Sequence, residues 1–151
     1  MTDRSIASGT FVIERNYPAS PARVFKAWAD PAIKKRWFGD GSEPTEFDFR
    51  EGGRELVQSG EGSGQFIFDV RYEDIVENNR IVYTYYMTMG GKRISVSAAA
   101  IEFHEDGAGT RMVITEQGFF LDGLDNVAQR KAGTEMLVNA LGAELTRQAQ
   151  N

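Results

Sequence analysis

A chain of 151 residues is long enough for one domain that buries roughly 68–70% of its unfolded surface, and with no cysteine it does so without disulfides. The missing cysteine also excludes thiolate nucleophiles and cysteine-bound metals, and it fits a reducing, cytoplasmic setting. Seventeen Lys and Arg against 22 Asp and Glu give a net charge of −5 with no basic run, which excludes non-specific binding to nucleic acid or to an anionic membrane.

No stretch is long enough to span a bilayer, and Met1 to Gly9 is short and polar, without the apolar core of a signal peptide. Residues 1–9 are expected to form a flexible arm and 10–151 a single domain. Thr10 to Tyr17, with Phe11 and Ile13 on one face, predicts a first strand. Ser20-Pro21 opens a short helix carrying Val24, Phe25 and Trp28, with serine as the cap and proline where its missing N–H costs nothing. Asp30-Pro31 ends that helix and starts a second by the same device, running through Ile33 to about Trp37 and stopping at Gly39.

Six strands are then expected in an unbroken meander. Thr45 to Arg50 alternates Phe47 and Phe49 against polar neighbours, and Gly52-Gly53 returns the chain into Arg54 to Ser59. The run Gly60 to Gly64 reads as a hairpin turn, because a strand and not a helix follows it and no lysine is present to hold phosphate. Phe66, Phe68, Val70 and Tyr72 then alternate, Asn78-Asn79 turns into Arg80 to Thr88, Gly90-Gly91 into Arg93 to Phe103, and Glu105 to Gly109 into Thr110 to Gln117. Gly118 to Leu124 is expected to cross to a long helix, Asp125 to Ala149, capped by Asp125.

That helix organises the rest. At 100° per residue, Val127, Arg130, Thr134, Leu137, Val138, Leu141 and Leu145 fall on one stripe. The stripe is graded: its C-terminal half is apolar, whereas Arg130 and Thr134 are poor filling for a closed core. A helix of this shape packs on the face of a curved antiparallel sheet, and the grading points to a cavity at one end. The fold class is therefore α+β, a helix-grip of about seven strands wrapped on a long C-terminal helix, with two short helices after the first strand.

The residues also resemble a known family. Val24-Phe25-Lys26-Ala27-Trp28-Ala29-Asp30-Pro31 with Trp37, Arg50-Glu51-Gly52-Gly53, Arg80-Ile81-Val82-Tyr83-Thr84 and Gly109-Thr110-Arg111 through Thr115-Glu116 are similar to motifs of the activator of heat-shock protein 90 ATPase homologue-like family, in the START-like, SRPBCC or Bet v-like superfamily. Thr115 to Gly123, with Arg130, Gly133-Thr134, Leu137 and Leu141, resembles a bacterial branch of it. Many relatives carry tryptophan where this chain has Thr134. The resemblance covers about residues 10–148. It implies a helix-grip fold and a choice among hydrophobic-ligand carriers, polyketide aromatase or cyclase-type proteins, and a co-chaperone-like interaction domain.

The leading expectation is an internal apolar cavity between sheet and helix for a lipid-, polyketide- or aromatic-like molecule. Trp28, Trp37, Phe47, Phe68, Tyr83 and Tyr85 are candidate walls, with Met112, Ile114 and Leu137 beside them. Glu116 follows Met112 and Ile114 in strand alternation, so it shares their face, and with Arg130 and Thr134 it is expected to form a polar end that orients a carbonyl, carboxylate or hydroxyl. The competing reading is a structural salt bridge from helix to sheet, or Arg130 reaching out to solvent. Glu116 is also the single candidate general base, with a tyrosine as acid, for an enzyme of the cyclase or dehydratase type. His104, the lone histidine, reads as a solvated turn residue, and no metal ligand set or cofactor motif is found. A homodimer and a protein partner stay open.

Overall fold

The computed structural model of the chain describes residues 4–39 and 43–149. It contains β1 (Ile6–Tyr17), α1 (Pro21–Ala29), α2 (Pro31–Lys34), β2 (Glu46–Phe47), β3 (Arg54–Ser59), β4 (Phe66–Val76), β5 (Arg80–Met89), β6 (Lys92–Asp106), β7 (Gly109–Leu121) and α3 (Val127–Ala149). The seven strands form one antiparallel sheet in the order β1-β7-β6-β5-β4-β3-β2, and α3 packs on its inner face. This is the α+β helix-grip architecture expected from the alternation pattern.

The capping chemistry works as the residue types dictate. Ser20 accepts from the Arg23 N–H at 3.3 Å, Asp30 accepts from the Ala32 N–H at 2.9 Å, and a proline follows each cap. The second helix is shorter than expected and closes in turns over Arg36 to Phe38. Its Lys34 is buried and paired at 2.7 Å with the buried Glu55 of β3, which also accepts from the Tyr72 hydroxyl at 2.7 Å. The second short helix is thereby pinned over one side of the sheet.

The strand expected over Thr45 to Arg50 is only Glu46–Phe47, and other boundaries differ from the sequence reading as well. Strand β1 begins at Ile6 because Ile6 to Gly9 continues the ladder against Gly118 to Leu121, so the expected arm is strand from residue 6, while residues 1–3 lie outside the described residues. The stretch Gly118 to Leu121 is accordingly the end of β7 and not a crossing loop. Its paired glycines allow two close approaches: a Cβ on Gly9 would lie 2.6 Å from Val127 Cβ of α3, and one on Gly118 would lie 2.7 Å from Ser97 Oγ of β6. Finally, Asn126 caps α3, accepting from the Gln129 N–H at 2.9 Å, which releases Asp125 for another role.

The other half of α3 is closed. Val138, Leu141 and Leu145 are buried, the Tyr17 hydroxyl donates to the Val138 carbonyl at 2.8 Å, and the Tyr17 ring lies against Gly142. A buried acid that the helical stripe did not single out, Glu144, accepts from Arg147, Gln148 and Arg36, tying the segment after α2 to the helix.

Candidate functional site: a half-open pocket with a charged end

The sheet is filled at one end and empty at the other, and β6 sets the gradient. Its inward residues run Ser95, Ser97, Ala99, Ile101, Phe103, from small to large. At the large end Phe25 meets Phe103 edge to face, with centroids 5.5 Å apart. At the small end, a pocket of about 440 Å³ lies between sheet and helix. Trp28, Phe38, Phe66, Phe68, Tyr83 and Met87 supply its apolar walls. Gln129, Gly133 and Met136 stand exposed along α3 and mark the mouth.

The small β6 residues also explain how a network forms across three strands. Tyr85 on β5 pairs with Ser97, and Glu116 on β7 pairs with Ala99, so nothing bulky stands between them. The Tyr85 hydroxyl donates to Glu116 Oε2 at 2.5 Å. From the helix above, Arg130 Nη1 donates to the Tyr85 oxygen at 2.8 Å and lies 3.9 Å from Glu116 Oε2. Arg130 Nη2 donates to Ser95 Oγ at 2.9 Å and to Asp125 Oδ2 at 2.5 Å. The guanidinium lies 5.5 Å from the ring centroids of both Tyr85 and Phe120. Arg130, Glu116 and Ser95 are all buried.

Burial pushes the Glu116 carboxyl above the usual carboxylate range, and the opposing pull of Tyr85 and Arg130 does not cancel it. Burial, with the neighbouring carboxylate second, likewise raises the Tyr85 phenol. Two buried side-chain atoms among the described residues are sealed and unbonded, Trp28 Nε1 and Ser97 Oγ. Glu116 Oε1 makes no hydrogen bond among the described residues, and Glu116 lines the pocket. The chemistry available is one free carboxyl oxygen, held in place by a tyrosine and an arginine, at the end of an aromatic chamber.

The structure brings Trp28, Phe68, Tyr83, Tyr85, Ile114, Glu116, Arg130, Thr134 and Leu137 of the expected set to this pocket. It leaves three elsewhere. Trp37 sits behind Trp28, with centroids 4.8 Å apart, and donates its indole N–H to the Ala27 carbonyl. Phe47 belongs to the short edge strand β2, 6.4 Å from the rings of both Phe49 and Tyr72. Met112 pairs with Phe103 at the filled end and has no exposed surface. Thr134 donates its proton to the Arg130 carbonyl at 3.0 Å, so it contributes lone pairs alone.

The sequence reading missed Phe38, Phe66 and Met87, which continue inward alternations or turns already recognised, and it missed Asp125, whose capping signal masked its bond to Arg130. His104 is a half-exposed strand residue beside Glu102, and it is not among the pocket residues. No group of three or more His, Cys, Asp or Glu among the described residues is placed to hold a metal, and no described helix is long and apolar enough to cross a membrane.

Comparison with known proteins places this geometry. Residues 18–146 match the family model described as activator of Hsp90 ATPase homolog 1-like protein. The crystal structure of the Mll3558 protein from Rhizobium loti is 45% identical over 93% of this chain and 99% of that one, with a TM-score of 0.86. A protein from Rhizobium leguminosarum is 40% identical over 97% of this chain and 99% of its own, with a TM-score of 0.88. CalU16 from Micromonospora echinospora, at 20% identity over 99% of this chain and 89% of its own and a TM-score of 0.70, shares the fold. No curated protein matches the sequence.

Proposed function

Because the chain belongs to the activator of Hsp90 ATPase homolog 1-like family of the START-like superfamily, we propose that it is a small-molecule-binding protein whose ligand, a hydrophobic lipid-, polyketide- or aromatic-like compound, lies between the sheet and α3. The observation that carries this reading is the pocket itself: about 440 Å³, walled largely by aromatic and aliphatic side chains and ending in a few convergent polar groups. Binding sites for small molecules have this size and composition, commonly about 300–1,000 Å³. In this reading the walls supply affinity, while Glu116, Arg130 and Thr134 orient one polar group of the ligand.

Native mass spectrometry of freshly purified protein, followed by denaturing extraction, tests it. The expected result is a stoichiometric small molecule that leaves on denaturation. A polypeptide mass carried along in its place would move the assignment to the co-chaperone-like interaction domain.

A second reading is favoured by one atom. Glu116 Oε1, with no hydrogen bond among the described residues and on a carboxyl whose pKa is raised, is a candidate general base for a cyclase- or dehydratase-type reaction on the same ligand. Tyr85 does not serve as its acid, because the phenol proton is committed to Glu116 and burial holds it there. On this reading Glu116→Gln removes turnover of the extracted compound without loss of the fold.

A further inference from the structure

The charges at the end of the pocket restrict what can enter it. Arg130 is the sole basic residue lining the pocket among the described residues, and it is already balanced. Both protons of Nη2 are used, one on Ser95 and one on Asp125, and Nη1 bonds to Tyr85 with Glu116 at 3.9 Å. Lys34, the other buried cation nearby, is held by Glu55 and is not among the pocket residues. One cation therefore faces two carboxyl groups, Asp125 and Glu116.

A ligand carboxylate would be a third acid at this end. With Glu116 ionised it would meet net negative charge; with Glu116 protonated it would meet a neutral Arg130–Asp125 pair. In neither state does a free cation offset the cost of burying an anion, and that cost far exceeds the cost of burying a hydrogen-bonded neutral group. A hydroxyl suits both states, because it donates to a carboxylate oxygen and accepts from a carboxylic acid. Glu116 Oε1 is the atom left to receive it.

Taking the proposed pocket as given, we infer that it selects uncharged ring compounds that present a hydroxyl to Glu116 and discriminates against carboxylates, fatty-acid anions included. The rings follow from the walls, where Trp28, Phe38, Phe66, Phe68, Tyr83 and Tyr85 line the space. Asp125 is a specificity-determining residue here, because it occupies the guanidinium that a carboxylate would otherwise claim.

Isothermal titration calorimetry near neutral pH with three matched probes, naphthalene, 2-naphthol and 2-naphthoate, tests the inference. The expected order is naphthol tightest and naphthoate weakest, with about tenfold or more between those two. The double variant Asp125→Asn with Glu116→Gln leaves Arg130 uncompensated and should reverse the order in favour of naphthoate. Naphthoate binding to the wild-type protein as tightly as naphthol overturns the inference while the pocket stands. No binding by any of the three overturns the pocket reading and the inference with it. If the double variant fails to melt cooperatively, the wild-type ranking decides alone.

Discussion

Glu116 is placed where burial works against it. Its folded pKa is raised above the unfolded value, so at pH between the two the native state binds more protons than the unfolded chain. The stability that this group contributes is complete below the unfolded carboxylate pKa and is lost as pH rises through the folded one. Replacing it with Gln keeps an acceptor for the Tyr85 hydroxyl and removes the buried charge. The expected outcome is a higher Tm for Glu116→Gln than for the wild type at pH 7–8, the gain shrinking as pH falls towards about 4. Thermal melts across that pH range read it directly, and an unchanged or lowered Tm at pH 8 would mean that Arg130 holds the carboxylate more firmly than burial opposes it. A carboxyl held against the pull of burial, with an oxygen that makes no hydrogen bond among the described residues at a pocket wall, is better suited to contact a ligand than to brace a structure. The sequence made this residue legible, since its strand alternation with Met112 and Ile114 placed it inward. Asp125 was not legible in the same way, because an aspartate before a helix satisfies the capping rule in the sequence, and only the tertiary approach of Arg130 gives the cap to Asn126 instead.

Along α3 a single stripe serves two surroundings. Leu141 has no exposed surface and sits in the filled half, whereas Leu137 is partly exposed and lines the pocket. Truncation at the first leaves a new void in close-packed material, and truncation at the second only widens a space already present. Leu141→Ala is therefore expected to cost about 2–5 kcal/mol in urea denaturation and Leu137→Ala under about 1.5 kcal/mol. Equal losses would show that the pocket end of α3 packs as tightly as the other. The grading of this stripe was readable from residue type, Arg130 and Thr134 against Val138, Leu141 and Leu145. Depth was not readable: Trp37, Phe47 and Met112 carry the same signals as Trp28, Phe68 and Ile114, and alternation fixes a face without saying whether a second layer or an edge strand lies there. The strand end at Gly118 to Leu121 was hidden for a related reason, since its glycine reads as a turn although it marks a close approach.

The pocket is large for a domain of this size. At about 24 cal/mol per Å³, a dry void of 440 Å³ would cost about 11 kcal/mol, within the ~5–15 kcal/mol of a whole domain's net stability. A space of this kind persists when water or a ligand occupies it, and an occupant that binds only the folded state stabilises it in turn. At a hundred times its Kd, such a ligand contributes about 2.7 kcal/mol, which raises Tm by about 5–11 °C for a chain of this length. Differential scanning calorimetry against 2-naphthol concentration should show Tm climbing steadily and without saturation above Kd, and a flat response would mean that the probe does not bind the native state.

The strand order carries a last consequence, for the ribosome rather than for the ligand. The two strands made first, β1 and β2, end at opposite edges of the sheet, and among the described residues the sole partner of β1 in the sheet is β7, whose Thr110 lies opposite Tyr17. Translation at 5–20 residues per second leaves β1 waiting on the order of 5–20 s for that partner to emerge. Through that interval a twelve-residue strand bearing Phe11 and Ile13 must find no other mate. The nascent chain is thus most prone to mispairing while most of its sheet has already formed, and α3 is synthesised only after β1 can dock.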